Sequence, residues 1–105
     1  MRSRRAQVVG YINSTHGDSG AAAEFDLLKA HGCKNIFHDV LQKNNTQRNR
    51  PQLLRAIDSL NPGDILIICQ LRALSDSPSG VAIHLKKIHL KGVNIKSLDG
   101  ILDTS

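Results

Sequence analysis

Apolar residues fall along the chain in short blocks parted by polar, glycine-rich connections, and the period of the pattern alternates between blocks. The first block, AQVVGYINST over residues 6–15, is nearly continuous, with Ala6, Val8, Val9, Tyr11 and Ile12 all compatible with a strand. Such a run predicts a strand over residues 7–12, buried on both faces. It ends in Asn13, Ser14 and Thr15. Residues 16–20 (HGDSG) read as a loop, in which Asp18 or Ser19 can cap a following helix. Over residues 21–31 the period becomes helical: Ala21, Phe25 and Leu28 share a face, and Gly32 is placed to stop the helix.

A second short strand follows over residues 35–39 (NIFHD). Residues 41–49 are polar, rich in Gln, Asn, Lys and Arg, and read as an exposed loop. Pro51 suits a first helical turn. Leu53, Leu54, Ile57 and Leu60 give that helix its apolar face. After the turn signal Asn61-Pro62-Gly63-Asp64, residues 65–69 (ILIIC) are the most apolar run and read as a central strand. A loop over residues 70–80 leads into a helix with Val81, Leu85 and Ile88 on one face. Gly92 ends it, and residues 93–98 form a fourth strand.

Strands alternating with helices predict the α/β class: a three-layer, mainly parallel, four- to five-stranded sheet with helices on both faces. In an open sheet of this kind, ligands bind outside the carboxyl ends of the strands. That rule makes Ser14 and Thr15 the first candidates for chemistry; the plain alternative is that they cap the turn after the first strand.

Composition narrows the partners. The chain has 105 residues, one domain by size. Lys and Arg number 14 against 9 Asp and Glu, a net charge of +5, which favours an anionic partner and nucleic acid first. Aromatic residues are only 3%, too few for base-stacking platforms. Cys33 and Cys69 read as buried, reduced thiols and fit a cytoplasmic protein. No apolar run approaches 18 residues, so no membrane partner is expected. His84 and His89 are five apart, and His16, His31 and His38 are scattered, so no metal site is expected. Residues 17–20 lack the Gly-Lys-Ser/Thr ending of a phosphate-binding loop, and no cofactor is expected.

Six segments, in order, carry a resemblance. They are Gly10-Tyr11 followed by Ser14-Thr15; Gly32-Cys33 leading into Ile36-Phe37-His38-Asp39; and Arg50-Pro51-Gln52-Leu53. Pro62-Gly63-Asp64-Ile65-Leu66-Ile67, then Gln70-Leu71-Arg72-Ala73-Leu74-Ser75-Asp76-Ser77, and Gly92-Val93 with Leu102-Asp103-Thr104-Ser105 complete them. Together they resemble the catalytic domain of the serine recombinases, the resolvase/invertase family, over essentially the whole chain. The resemblance implies a resolvase-like fold spanning residues 1–105. It implies a serine that attacks a DNA phosphodiester and becomes linked to the 5′ end, arginines that hold the phosphate, and assembly into dimers and tetramers.

The residue types suit that chemistry. An alcohol needs activation to act as a nucleophile. A phosphodiester gains charge towards its transition state, which guanidinium groups stabilise while gripping the phosphate bidentately.

The chain departs from the family at those positions. The family's first strand reads Tyr, any residue, Arg, Val, Ser, Thr, whereas Tyr11 here precedes Ile12, Asn13, Ser14 and Thr15. Without a gap, Thr15 takes the nucleophile's place; with a gap, Ser14 does. The family's segment after the central strand reads Lys, Leu, Asp, Arg, Leu, a small residue, Arg, Ser. Here Arg72 stands for the acid, Ala73 for the first arginine and Asp76 for the second. Only Arg50 matches an active-site arginine; Arg48 and Arg72 can add weak phosphate contacts.

The expectation is therefore a recombinase-type domain with impaired catalysis, built around Ser14, Thr15 and Arg50. The alternative is a non-enzymatic dimerisation or regulatory module acting on an intact recombinase. The family's long helix and helix-turn-helix domain have no counterpart among these residues, so DNA binding is expected to be weak and self-association into a homodimer or higher oligomer is expected.

Overall fold

The structure is a computed structural model describing residues 6–15, 21–41, 51–75 and 77–103. Four strands, β1 (Val8–Thr15), β2 (Asn35–Leu41), β3 (Ile65–Ile68) and β4 (Asn94–Ser97), form one sheet in the order β2-β1-β3-β4. Every pairing within it is parallel. Parallel neighbours require crossovers, and these are α1 (Ala21–Ala30), α2 (Pro51–Ser59) and α3 (Pro78–Leu90).

The two faces are covered unequally. On one side α2 and α3 pack over Val9, Tyr11, Leu66, Ile68 and Ile95, with Leu53, Ala56, Ile57, Leu60 and Ile88 as the helix contribution. On the other side α1 lies alone over Val8, Ile12, Ile36, Ile65 and Ile67, through Ala21, Phe25 and Leu28. α1 can lie close because β1 has Gly10 beneath it: a Cβ there would meet Leu28 Cδ1 at 2.9 Å and Cys33 Sγ at 3.2 Å.

The helix ends follow from local chemistry. Gly32 at φ +88° and Gly92 at φ +79° take the left-handed turn that ends α1 and α3. The amide of the following residue then bonds back, Cys33 to the Leu28 carbonyl at 3.1 Å and Val93 to the Ile88 carbonyl at 3.2 Å. Ser77 caps α3, its Oγ accepting from the Gly80 amide at 3.1 Å, with Pro78 opening the helix. At the sheet's amino end, buried Asp64 accepts from the Gln7 amide at 2.9 Å and the Asn61 amide at 2.8 Å, tying β1 to the turn before β3.

The fold class and the four predicted strands are present, with two corrections of extent. β1 runs to Thr15 rather than Ile12, and β2 to Leu41 rather than Asp39, because the two ends pair with each other, Ser14 with Val40 and Thr15 with Leu41. Ser14 is thus part of the sheet. In α2 the buried face is Leu53, Ala56, Ile57 and Leu60, an i, i+3, i+4, i+7 stripe, and Leu54 lies off it, exposed. Predicted features at residues 16–20 and 42–49 fall outside the described residues.

Candidate active site

The chain leaves β1 over one face, through α1 to β2, and returns over the opposite face, through α2 to β3. β1 and β3 are neighbours, so the carboxyl-end crevice between them is the switch point where open α/β sheets bind ligands. Asn13 of β1 lies there, with the residues after β3: Gln70 and the short 3-10 turn Leu71–Ala73, while Ser14, next along β1, turns its side chain to β2.

Two polar pairs sit on opposite faces of β1 and β2. On the α2 side the Tyr11 hydroxyl donates to Asp39 Oδ2 at 2.7 Å. The same carboxylate accepts from the Gln52 amide (3.1 Å, to Oδ1) and the Leu53 amide (3.1 Å, to Oδ2). Asp39 therefore caps α2 from a distant strand, satisfying donors that a helix start leaves open and placing negative charge at the positive end of its dipole. On the α1 side Ser14 Oγ and His38 Nε2 are 2.7 Å apart. Phe25 packs edge-on against the imidazole, ring centroids 5.4 Å apart at 83°. Ser14 is 5% exposed.

The two thiols lie on the α1 side as well. Cys33 and Cys69 are free. Burial pushes each thiol up to about 11, and for Cys69 the Glu24 carboxylate adds to the effect. Both are protonated and poor nucleophiles at neutral pH.

Of the residues singled out in the sequence, Ser14 is placed near the carboxyl end of β1 with a partner for its hydroxyl on β2. Thr15 is the last residue of β1. Asn13, where the family has an arginine, turns its amide to the Ala73 carbonyl at 3.4 Å. Ala73, at another arginine position, is half-buried against the α2/α3 core. Arg72 is exposed on the 3-10 turn. Arg48, Arg50 and Asp76 lie outside the described residues.

Sequence reasoning missed His38 and Asp39 as site residues. Period-two alternation places His38 on one face and Asp39 on the other, but which strand each faces depends on register, which only the Ile12–His38 pairing supplies. No group of three or more metal-ligating side chains occurs among the described residues. An apolar cavity of about 150 Å³ lies between α3 and β4, lined by Leu85, Ile88, His89, Val93, Ile95 and Leu102. No candidate residue lines it. No helix among the described residues is long and apolar enough to cross a membrane.

Comparison with known proteins bears on this site. The family model described as Resolvase, N terminal domain, matches residues 8–105. The chain is 31% identical over 98 residues to Serine recombinase gin of Escherichia phage Mu, covering 93% of this chain and 50% of that protein. It is 30% identical over 97 residues to DNA-invertase hin of Salmonella typhimurium, covering 92% and 50%. With the Resolvase of Clostridium perfringens the identity is 33% over 101 residues, covering 93% and 52%. The chain thus spans about half the length of these relatives. The resolvase match across nearly all of the chain, on a parallel α/β sheet, makes this protein a member of the resolvase N-terminal domain family of serine recombinases.

Proposed function

We propose that the chain is a DNA-strand-cleaving domain of serine-recombinase type in which Ser14 attacks a phosphodiester, and that its phosphate grip is weakened so that it acts slowly. The observation that carries this reading is the position of Ser14: the carboxyl end of β1, within a resolvase domain. In the reaction Ser14 Oγ bonds to phosphorus, the P–O3′ bond breaks, and a 5′-phosphoseryl link holds the strand until the freed 3′ hydroxyl reverses the step.

The weakness follows from the residues at the family's arginine positions. Asn13 spends its amide on the Ala73 carbonyl, and Ala73 has no donor to offer. Asp76 brings a negative charge where the family has a positive one. Losing one preorganised donor costs on the order of 10²–10³ in rate. Arg48, Arg50 and exposed Arg72 supply positive charge towards the DNA backbone in this reading.

Incubation with a nicked duplex, followed by denaturing electrophoresis, tests the reading. A slowly accumulating protein–DNA adduct is expected, lost in Ser14→Ala and kept in Thr15→Val. Absence of any adduct, or loss in Thr15→Val alone, overturns the assignment of Ser14. Adduct formation as fast as that of a complete recombinase overturns the weakened grip.

A second reading, a non-enzymatic module that joins an intact recombinase, draws on apolar side chains left at the surface. Ile83 and Leu90 of α3 are 66% and 74% exposed. Co-elution with a complete recombinase, unaffected by Ser14→Ala, is its expected signature.

A further inference from the structure

We propose that His38 is the proton acceptor of Ser14, so that the two form a hydroxyl–imidazole dyad on the α1 side of the sheet. The proposal rests on the reading of Ser14 as nucleophile, and its test separates the two.

The geometry comes first. Ser14 Oγ to His38 Nε2 is 2.7 Å, within the reach a base needs to take a proton directly. The contact is built by register. His38 pairs with Ile12 and Val40 with Ser14, so both side chains emerge on one face, one step apart along neighbouring strands. Phe25 holds the ring edge-on from α1, which limits its swing away from the serine.

The surroundings leave the imidazole as the acceptor. At 5% exposure, Ser14 is shielded from bulk water. Asp39, the nearest carboxylate in sequence, points to the opposite face, where it holds Tyr11 and the start of α2. Glu24 of α1 acts on Cys69, and Asp26 and Lys29 of that helix are exposed. Cys33 and Cys69, the other titratable groups under α1, stay protonated at neutral pH. Among the described residues, His38 is the side chain whose ring nitrogen meets Ser14 Oγ.

The step balances. With Nδ1 carrying the ring proton, Nε2 accepts the Oγ proton as Oγ bonds to phosphorus. The P–O3′ bond breaks with its electron pair on O3′, which takes a proton from solvent. Nucleophile and leaving group occupy opposite apices of an in-line displacement, so His38 serves Ser14 alone. On rejoining, O3′ attacks phosphorus and releases its proton to solvent, and the imidazolium returns its own to the departing Oγ. A chain short of phosphate-binding arginines gains most from an activated nucleophile, since general base assistance contributes typically 10²–10⁴-fold.

Two electrophiles make the test independent of DNA affinity. One is the nicked duplex; the other is a fluorophosphonate, in which Oγ displaces fluoride from phosphorus. Adducts at Ser14 are located by peptide mass spectrometry across a pH series, for wild type and His38→Gln. In the wild type, both rates are expected to rise with pH to a plateau as one proton is removed. In His38→Gln that limb disappears and the plateau falls on the order of 10²–10⁴-fold, while thermal unfolding confirms the fold. Fluorophosphonate labelling with this pattern but without a DNA adduct supports the dyad and rejects the DNA reading. Labelling that His38→Gln leaves unchanged, or that shows no pH limb in the wild type, overturns the dyad whatever DNA does. No labelling of Ser14 at any pH overturns it as well. Should His38→Gln fail to fold, the wild-type limb decides alone.

Discussion

The two faces of the β1–β2 ribbon carry the same kinds of group to different ends. On the α2 side a hydroxyl meets a carboxylate that also collects two backbone amides, so Asp39 serves three donors. On the α1 side a hydroxyl meets an imidazole. The first arrangement gathers three donors on one carboxylate and holds α2 to the sheet. The second keeps a proton that can move. A buried acid beside a tyrosine looks like catalytic equipment, yet here it is the fastening, and the candidate for chemistry is the pair on the other face.

The strongest way to break this contrast is Asp39→Ala. It strips three buried or half-buried donors of their acceptor at once. Loss of the cap on the Gln52 and Leu53 amides, about 1 kcal/mol, and of the acceptor for the Tyr11 hydroxyl, about 1–3 kcal/mol, predicts about 2–4 kcal/mol of destabilisation, measured by urea unfolding. Tyr11→Phe removes one donor and leaves the cap, so about 1 kcal/mol is expected in the same measurement. Ser14→Ala is expected to cost less than about 1 kcal/mol, since the remaining imidazole is half-buried, while abolishing adducts. If Ser14→Ala proved as damaging as Asp39→Ala, the division of labour between the faces would fall.

The smallest effect concerns the thiols, which also distinguish the α1 side. Cys33 and Cys69 titrate near 11 when folded, against 9.0 for a free thiol. A raised folded value stabilises fully below the unfolded one. Stability from this source is therefore complete below pH 9.0 and declines as pH rises towards about 11. Cys33→Ala/Cys69→Ala is expected to flatten that alkaline decline, read as unfolding midpoints against pH.

Much of the fold was legible because its signals are local. Gly32 and Gly92 stop helices, Pro78 opens one, and the run Ile65–Ile68 has no polar face to show to water. Strand ends were not legible. Asn13, Ser14 and Thr15 are weakly strand-forming as a group and are held in the sheet by the parallel partner Asp39, Val40 and Leu41. Ala56 was passed over for Leu54 because side-chain size outweighed position on the helix, whereas packing chose position. The site divided in the same way. Ser14 stood out by type and place. His38 did not, because its meaning depends on a neighbour 24 residues away in sequence.

The strand order also bears on how the chain acquires its structure. β1-α1-β2 and β3-α3-β4 are each a crossover unit that pairs its own two strands. They pair where β1 meets β3, a seam clamped by Gln7 and Asp64 across 57 residues of sequence. Closing so long a loop is the slow event in assembling parallel sheets. A chain waiting at that stage presents Val8–Tyr11 and Ile65–Ile68 as two open apolar edges. The crevice between β1 and β3 is thus expected to be the last part of the molecule to come into being, and its unclosed halves the part most prone to aggregate.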